Sequence, residues 1–385
     1  MIAYNTGWLS KLIVQRQIEA ARCQNSITSE EYLNAIKLYP VGFYTPNIFI
    51  RMGLFILTII GTLSFGLFFL FVIEGYDDGL LSALLVLFSV ICYLALEIIV
   101  NKKKQYKAGV DDAFLWASAG FLFAAAMIYS GSWLTTEVAI ILIISLFYTL
   151  RFLNILMAGI AVLALLTLVY LFYIDIFSGY TGGLSILLSL LSATIYYFSR
   201  SLANKSNFKH YASALKVVQI TALLCVYATI NTFVAMSQNI TKFALPVALP
   251  IYFRWLFWLL TTVLPFVYIY YGIKKKDLIL GRVGLILIIP TAFIIRIYYS
   301  ILPIEIAMVT SGICLIVLSY YCIKYLQPSK NGFTSLASSD VNNLSKFNLE
   351  ALVIAETLSA PATPSQPDIN YNGGNFGGGG ASGEF

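Results

Sequence analysis

The chain has 385 residues, of which 59% are hydrophobic, 15% aromatic and 11% charged, with a mean hydropathy of +0.83. Soluble domains carry about 25% charged residues, so this composition excludes a water-facing globule and points to an all-α, polytopic transmembrane bundle. The net charge of +6 is not a nucleic-acid signal, because the basic residues sit in connections between apolar runs. The partner it implies is the lipid bilayer.

The first fifty residues are largely polar and read as a cytoplasmic helical hairpin, residues 1–51. This layout argues against a cleavable signal peptide. Leu9, Leu12, Ile13 and Val14 open an amphipathic series that runs to about Cys23. Thr28 is placed as an N-cap with Glu31 completing a capping box, and Ile27 and Tyr32 are placed as its hydrophobic staple. The second helix is expected to stop near Tyr39, ahead of Pro40. Two roles fit the hairpin: a docking module for a protein partner, or a membrane-surface pair covering the inner face of the bundle.

A bilayer core of about 30 Å needs roughly 20 apolar residues in a helix. Ten segments within residues 52–326 qualify: 52–73, 80–100, 113–130, 133–150, 154–174, 182–198, 217–236, 255–273, 283–299 and 302–323. Their apolar runs are continuous rather than alternating, which excludes a closed barrel. When the connections are assigned alternately, beginning with the N-terminal segment inside, 21 of the 24 lysines and arginines fall inside. Only Lys242, Arg254 and Arg296 fall outside. Positive residues are retained on the cytoplasmic side, so about ten spans with both termini cytoplasmic is the expectation.

Ionisable groups inside apolar spans are the default functional suspects. Glu97 sits near the cytoplasmic end of the second span, about a turn from Lys102, where it is expected to snorkel or to pair. Arg254, Arg296 and Glu305 gather toward the outer ends of spans eight to ten. Pro265 and Pro290 interrupt spans eight and nine, each removing a backbone donor, and broken helices of that kind mark substrate sites in some transporters. The outer connection Ser237–Arg254 contains F-A-L-P-V-A-L-P, too apolar for an ordinary loop. Either these features form an outward polar pocket, or Arg296 and Glu305 form an ion pair that pins a hairpin and the prolines serve only packing.

Catalytic signatures are absent from the sequence. His210 is the only histidine, the five cysteines are scattered as small core hydrophobes, and no H-E-x-x-H, G-x-S-x-G or phosphate-binding glycine motif occurs. No metal, cofactor or catalytic residue is therefore expected, and the expectation for the chain is non-enzymatic.

From about Gln327 the composition turns to Ser, Asn, Pro and Gly, ending NYNGGNFGGGGASGEF. Residues 327–385 are expected to be a disordered tail, with Phe376 and Phe385 as the side chains a protein partner would read. A flexible tail without a reader is the alternative.

The run Y-Y-G-I-K-K-K-D-L-I-L-G-R-V-G-L-I-L-I, continuing to R-I-Y-Y-S-I-L-P-I-E, resembles bacterial multispanning families described only as predicted membrane proteins of unknown function. I-T-S-E-E-Y-L-N-A-I ahead of Y-T-P-N-I-F-I-R-M-G-L-F-I-L is similar to their cytoplasmic prelude. The terminal N-F-G-G-G-G-A-S-G-E-F resembles the glycine-rich end of bacterial proteins bearing the thylakoid-phosphatase-like (TPM) domain, although those commonly end in Ser-Trp and the domain itself is not in this sequence. These resemblances imply a bacterial envelope setting and assign no catalytic residue. Two functions follow: an envelope scaffold or membrane-complex component, or a secondary transporter or lipid-handling permease using the outward pocket.

Overall fold

The computed structural model describes residues 2–23, 26–72, 77–130, 134–177, 183–237 and 254–299, with isolated positions between 309 and 324. The helices are α1 (Thr6–Cys23), α2 (Ser29–Leu38), α3 (Ile48–Val72), α4 (Asp78–Lys102), α5 (Val110–Ser130), α6 (Leu134–Phe152), α7 (Ile155–Ile176), α8 (Leu184–Ala203), α9 (Ala212–Ser237), α10 (Arg254–Lys274) and α11 (Leu278–Tyr299). A 3₁₀ turn, Ser206–Tyr211, leads into α9. No strand occurs among the described residues; a single bridge joins Tyr44 to Gln105.

Among the described residues, seven helices are long and apolar enough to cross a membrane: α3 to α8, and α9 with its 3₁₀ lead-in. Helices α10 and α11 coincide with the eighth and ninth expected spans. Most of the tenth, and all of residues 327–385 with Phe376 and Phe385, lie outside the described residues.

Two hubs organise the packing. Helix α5 carries α3 and α4 and touches α6, while α9 packs against α7, α8, α10 and α11. An apolar helix with no distinct polar face belongs in an interior, and the α9 stretch has the most buried window of the seven, 44%. Helix α3 is the opposite case at 6%, against 22–44% for the other six. It rests chiefly on α5, with Phe65 and Phe69 meeting Phe88 of α4.

The α10–α11 hairpin closes through glycine. A Cβ at Gly284 would stand 2.9 Å from the Ile269 nitrogen and the Pro265 oxygen, so only glycine permits this backbone approach. Pro265 is fully buried within a continuous helix, and Pro290 is half-buried in α11. Neither ends its helix.

The N-terminal segment forms two helices, with the expected capping box: the Thr28 hydroxyl accepts from the Glu31 amide and the Glu31 carboxylate accepts from the Thr28 amide at 2.8 Å. Helix α2 ends at Leu38, before Pro40, and buries none of its residues. Helix α1 is seated differently. Tyr4 and Leu9 join Leu96, Val100, Leu115, Tyr148 and Phe152 in one core cluster, so this segment closes over the ends of α4, α5 and α6.

Candidate functional site

The end of the bundle beneath α1 is where charge concentrates. Four separate contacts draw its connections together. The Ala3 amide donates to the Arg151 carbonyl at 2.9 Å, and the Tyr44 amide to the Lys104 carbonyl at 3.1 Å. Tyr211 Oη donates to the Leu150 carbonyl at 2.8 Å, and Arg200 pairs with Asp277. The N-terminal segment and the α4–α5, α6–α7, α8–α9 and α10–α11 connections thus share one end.

At its centre stand two adjacent carboxylates in the first turn of α5. Acidic residues are favoured there by the helix dipole, yet these two also work outward. Asp111, 1% exposed, accepts from the backbone amides of Lys107 at 2.7 Å, Ala108 at 2.8 Å and Gly109 at 3.1 Å, and from Tyr4 Oη at 3.5 Å. It folds the 103–109 loop around itself. Gly109, at φ +97, lies where an added Cβ would strike the Arg51 carbonyl oxygen, so the loop can pass this close to α3 only at glycine. Asp112 accepts from Arg51 Nη2 at 2.6 Å and from Asn154 Nδ2 at 3.4 Å. Asn154 in turn caps α7, accepting from the amides of Leu156 and Met157.

Two cavities flank Arg51 and Lys107. One, of about 390 Å³, is of mixed polar and apolar lining and lies against α1 and α2, with Gln15, Arg16, Glu19, Tyr32 and Tyr106 in its wall. The other, of about 680 Å³, is mainly apolar and runs between α3, α5 and α7, past Met52, Phe55, Ile56, Leu115, Trp116 and Leu156. Ile48, Arg51 and Lys107 line both. An aromatic group lies against the shared wall: Tyr106 packs edge-on to Tyr4 at 5.0 Å and stacks on Phe43 at 5.2 Å.

Burial, and then the charges of Arg16 and Arg51, push the Lys107 ammonium below the usual lysine range, with Asp112 and Asp111 opposing. Burial, followed by the Asp111 and Asp112 charges, holds the Tyr4 phenol well above its usual value. Tyr106 is raised for the same first reason, and Arg16 opposes the shift. This corner therefore keeps its phenols neutral, Tyr4 as a donor to Asp111, and holds a lysine whose charge is costly unless an anion meets it.

Glu97 does not pair with Lys102. Arg151 Nε donates to it at 2.6 Å, and Tyr93 Oη and Asn101 Nδ2 also donate to it. The partner comes from α6 because the α4 and α6 ends meet in the same cluster. On the second hub, the Asp277 carboxylate accepts from Arg200 Nη1, from Tyr196 Oη at 3.0 Å, and from the Ile279 and Leu280 amides that open α11.

Arg254 opens α10 and Arg296 lies in the last turn of α11, so both stand at the end of that hairpin away from its 275–277 turn. Their side chains, and Glu305 entirely, lie outside the described residues. Near them in sequence, Thr261 is fully buried and its hydroxyl has no partner among the described residues. Pro265, four residues on, has no N–H to offer the Thr261 carbonyl.

The sequence reading missed Asp111 and Asp112 because it began the span at Ala113. The paired acids just after Gly109 are a helix-start signal that could have found them. In the comparisons with known proteins, no family model and no curated protein matches the chain. The fold and the site define an all-helical, apolar bundle compatible with an integral membrane protein.

Proposed function

We propose that this chain is a multi-pass inner-membrane protein of ten spans with both termini cytoplasmic, acting as a non-enzymatic scaffold or component of a larger membrane assembly. The orientation is supported by the shared end described above, which carries Lys102–Lys104, Lys107, Arg151, Arg200, Lys205, Lys209 and Lys274–Lys276; positive residues stay on the cytoplasmic face. The resemblance to bacterial predicted membrane proteins agrees with this setting.

The observation that carries the assembly role is the exposure of α3. Its window is 6% buried within the chain, and a Cβ at Gly53 or Gly61 would meet nothing within 4 Å. Glycine costs a helix about 1 kcal/mol relative to alanine, and in membranes its usual return is the close approach of a second helix. A photocrosslinking residue at Ile60 should yield a discrete protein adduct, while one at lipid-facing Leu163 of α7 should not. Adducts at neither Ile60 nor Leu57 and Leu67 on the other faces of α3 would end this reading. The α1–α2 hairpin and the tail residues Phe376 and Phe385 are further contacts for such a partner, tested by comparing recovery with and without 372–385.

A second reading, a secondary transporter or lipid-handling permease with an outward pocket in spans eight to ten, rests on Thr261 and Pro265. Together they leave a buried hydroxyl without a partner among the described residues and a carbonyl without its usual helical donor inside α10. Substrate-dependent uptake into proteoliposomes, abolished by Thr261→Val, would favour it over the scaffold.

A further inference from the structure

We propose that the Arg51–Lys107 junction is a binding site for one anionic phospholipid, with the phosphate against Arg16, Arg51 and Lys107 and an acyl chain in the groove between α3, α5 and α7. It requires only that the bundle sits in a membrane and does not depend on the scaffold or the transporter reading.

The first ground is the pairing of the cavities. A chamber of mixed lining that carries Gln15, Arg16 and Glu19 and a larger, mainly apolar groove share Ile48, Arg51 and Lys107, which is the outline of an amphiphile with its charged neck at those residues. The depth agrees. Arg51 lies one turn inside α3, where the polar prelude gives way to an apolar run, and Trp116 and Tyr106 flank it as interfacial aromatics do.

The second ground is charge. The cations facing the neck are Arg16 from α1, Arg51 from α3 and Lys107 from the loop; the anions are Glu19, Asp111 and Asp112. Asp111 is turned into the loop by three backbone amides and Asp112 is held by Arg51 and Asn154. Lys107 forms no ion pair among the described residues, and its Nζ lies over the Tyr106 ring, 5.6 Å from the centroid. Arg51 gives Asp112 one of its five N–H donors, leaving others for a phosphate. Basic pockets between helices at the cytoplasmic leaflet select acidic headgroups in this way.

The test titrates purified full-length protein in detergent with dioleoyl-phosphatidylglycerol or dioleoyl-phosphatidylcholine and follows the melting temperature. Phosphatidylglycerol should raise it saturably and phosphatidylcholine should not. Lys107→Gln and Arg16→Gln should each weaken the half-saturating concentration by about fivefold, and Lys107→Arg should retain it. Ile56→Trp, which fills the groove and leaves the cations alone, should also weaken the response. Variants are compared by their lipid-dependent shift, so a lower starting melting point does not decide the outcome. Equal responses to the two lipids, or an undiminished response in Lys107→Gln, would overturn the proposal. An equal shift from sn-glycerol 3-phosphate would overturn it too, in favour of a small-anion site.

Discussion

Arg51 Nη2 stands 2.6 Å from Asp112 Oδ2, and this pair is a polar link between α3 and α5, the helix on which α3 chiefly rests. Both side chains are partly exposed, 40% and 20%, so water screens the attraction and the pair contributes about 1 kcal/mol rather than several. Its weight comes from having few competitors, because α3 buries so little. Asp112→Ala should lower the melting temperature modestly and raise the accessibility of single cysteines placed on α3. Adding Arg51→Ala to that variant should cost little more, as residues in one pair are not additive. A full additive loss in the double variant would show that the two act separately.

Asp111 next to it should matter more. Alanine there leaves the amides of Lys107, Ala108 and Gly109 without their acceptor in a buried place, and each unmet donor costs about 1–3 kcal/mol. Asp111→Ala should therefore reduce the yield of monodisperse protein sharply and lower the melting temperature by more than Asp112→Ala. Similar melting points for the two variants would contradict the loop-folding role.

The α10–α11 contact predicts opposite signs for two nearby glycines. Alanine at Gly284 would press on backbone atoms of α10 at 2.9 Å, whereas alanine at Gly281 meets nothing within 4 Å. Overpacking costs about 1–3 kcal/mol, while replacing an uncrowded helical glycine gains up to about 1 kcal/mol. Thermal melts of Gly284→Ala and Gly281→Ala should move in opposite directions.

Lys107 predicts a pH dependence. Its folded-state pKa is lowered by burial and by Arg16 and Arg51. The folded protein thus sheds this proton at a lower pH than the unfolded chain does. Between the lowered value and the ordinary lysine value of about 10.4, the unfolded state holds more protons, so stability rises with pH across that window. Lys107→Gln should flatten the rise. In the same window the attraction for an acidic headgroup should weaken, because the ammonium is being neutralised.

Much of the architecture was legible because it is periodic or local. Nine of the ten apolar segments coincide with helices α3 to α11, and Thr28 and Glu31, three residues apart, announce the start of α2. What sequence could not deliver was pairing at a distance. Glu97 was placed beside Lys102, five residues away, but finds Arg151, 54 residues on; Arg51 and Asp112 are 61 apart, and Arg200 and Asp277 are 77 apart. Such partners depend on which helix ends meet, and that is decided by α5 and α9 as hubs, a property of three-dimensional packing. The opposite-end residues Arg254 and Arg296 were placed on one level by counting spans. The charged junction beside Asp111 was invisible because its members, Tyr4, Arg51, Lys107 and Asn154, come from four separate segments.

The bond from the Ala3 amide to the Arg151 carbonyl has a consequence for biogenesis. Ala3 is made 148 residues ahead of Arg151 and must wait for its acceptor to exist. This side of the basic rim can therefore be drawn shut only after α3 to α6 have been inserted, and the contacts from Tyr211 and Asp277 follow later still.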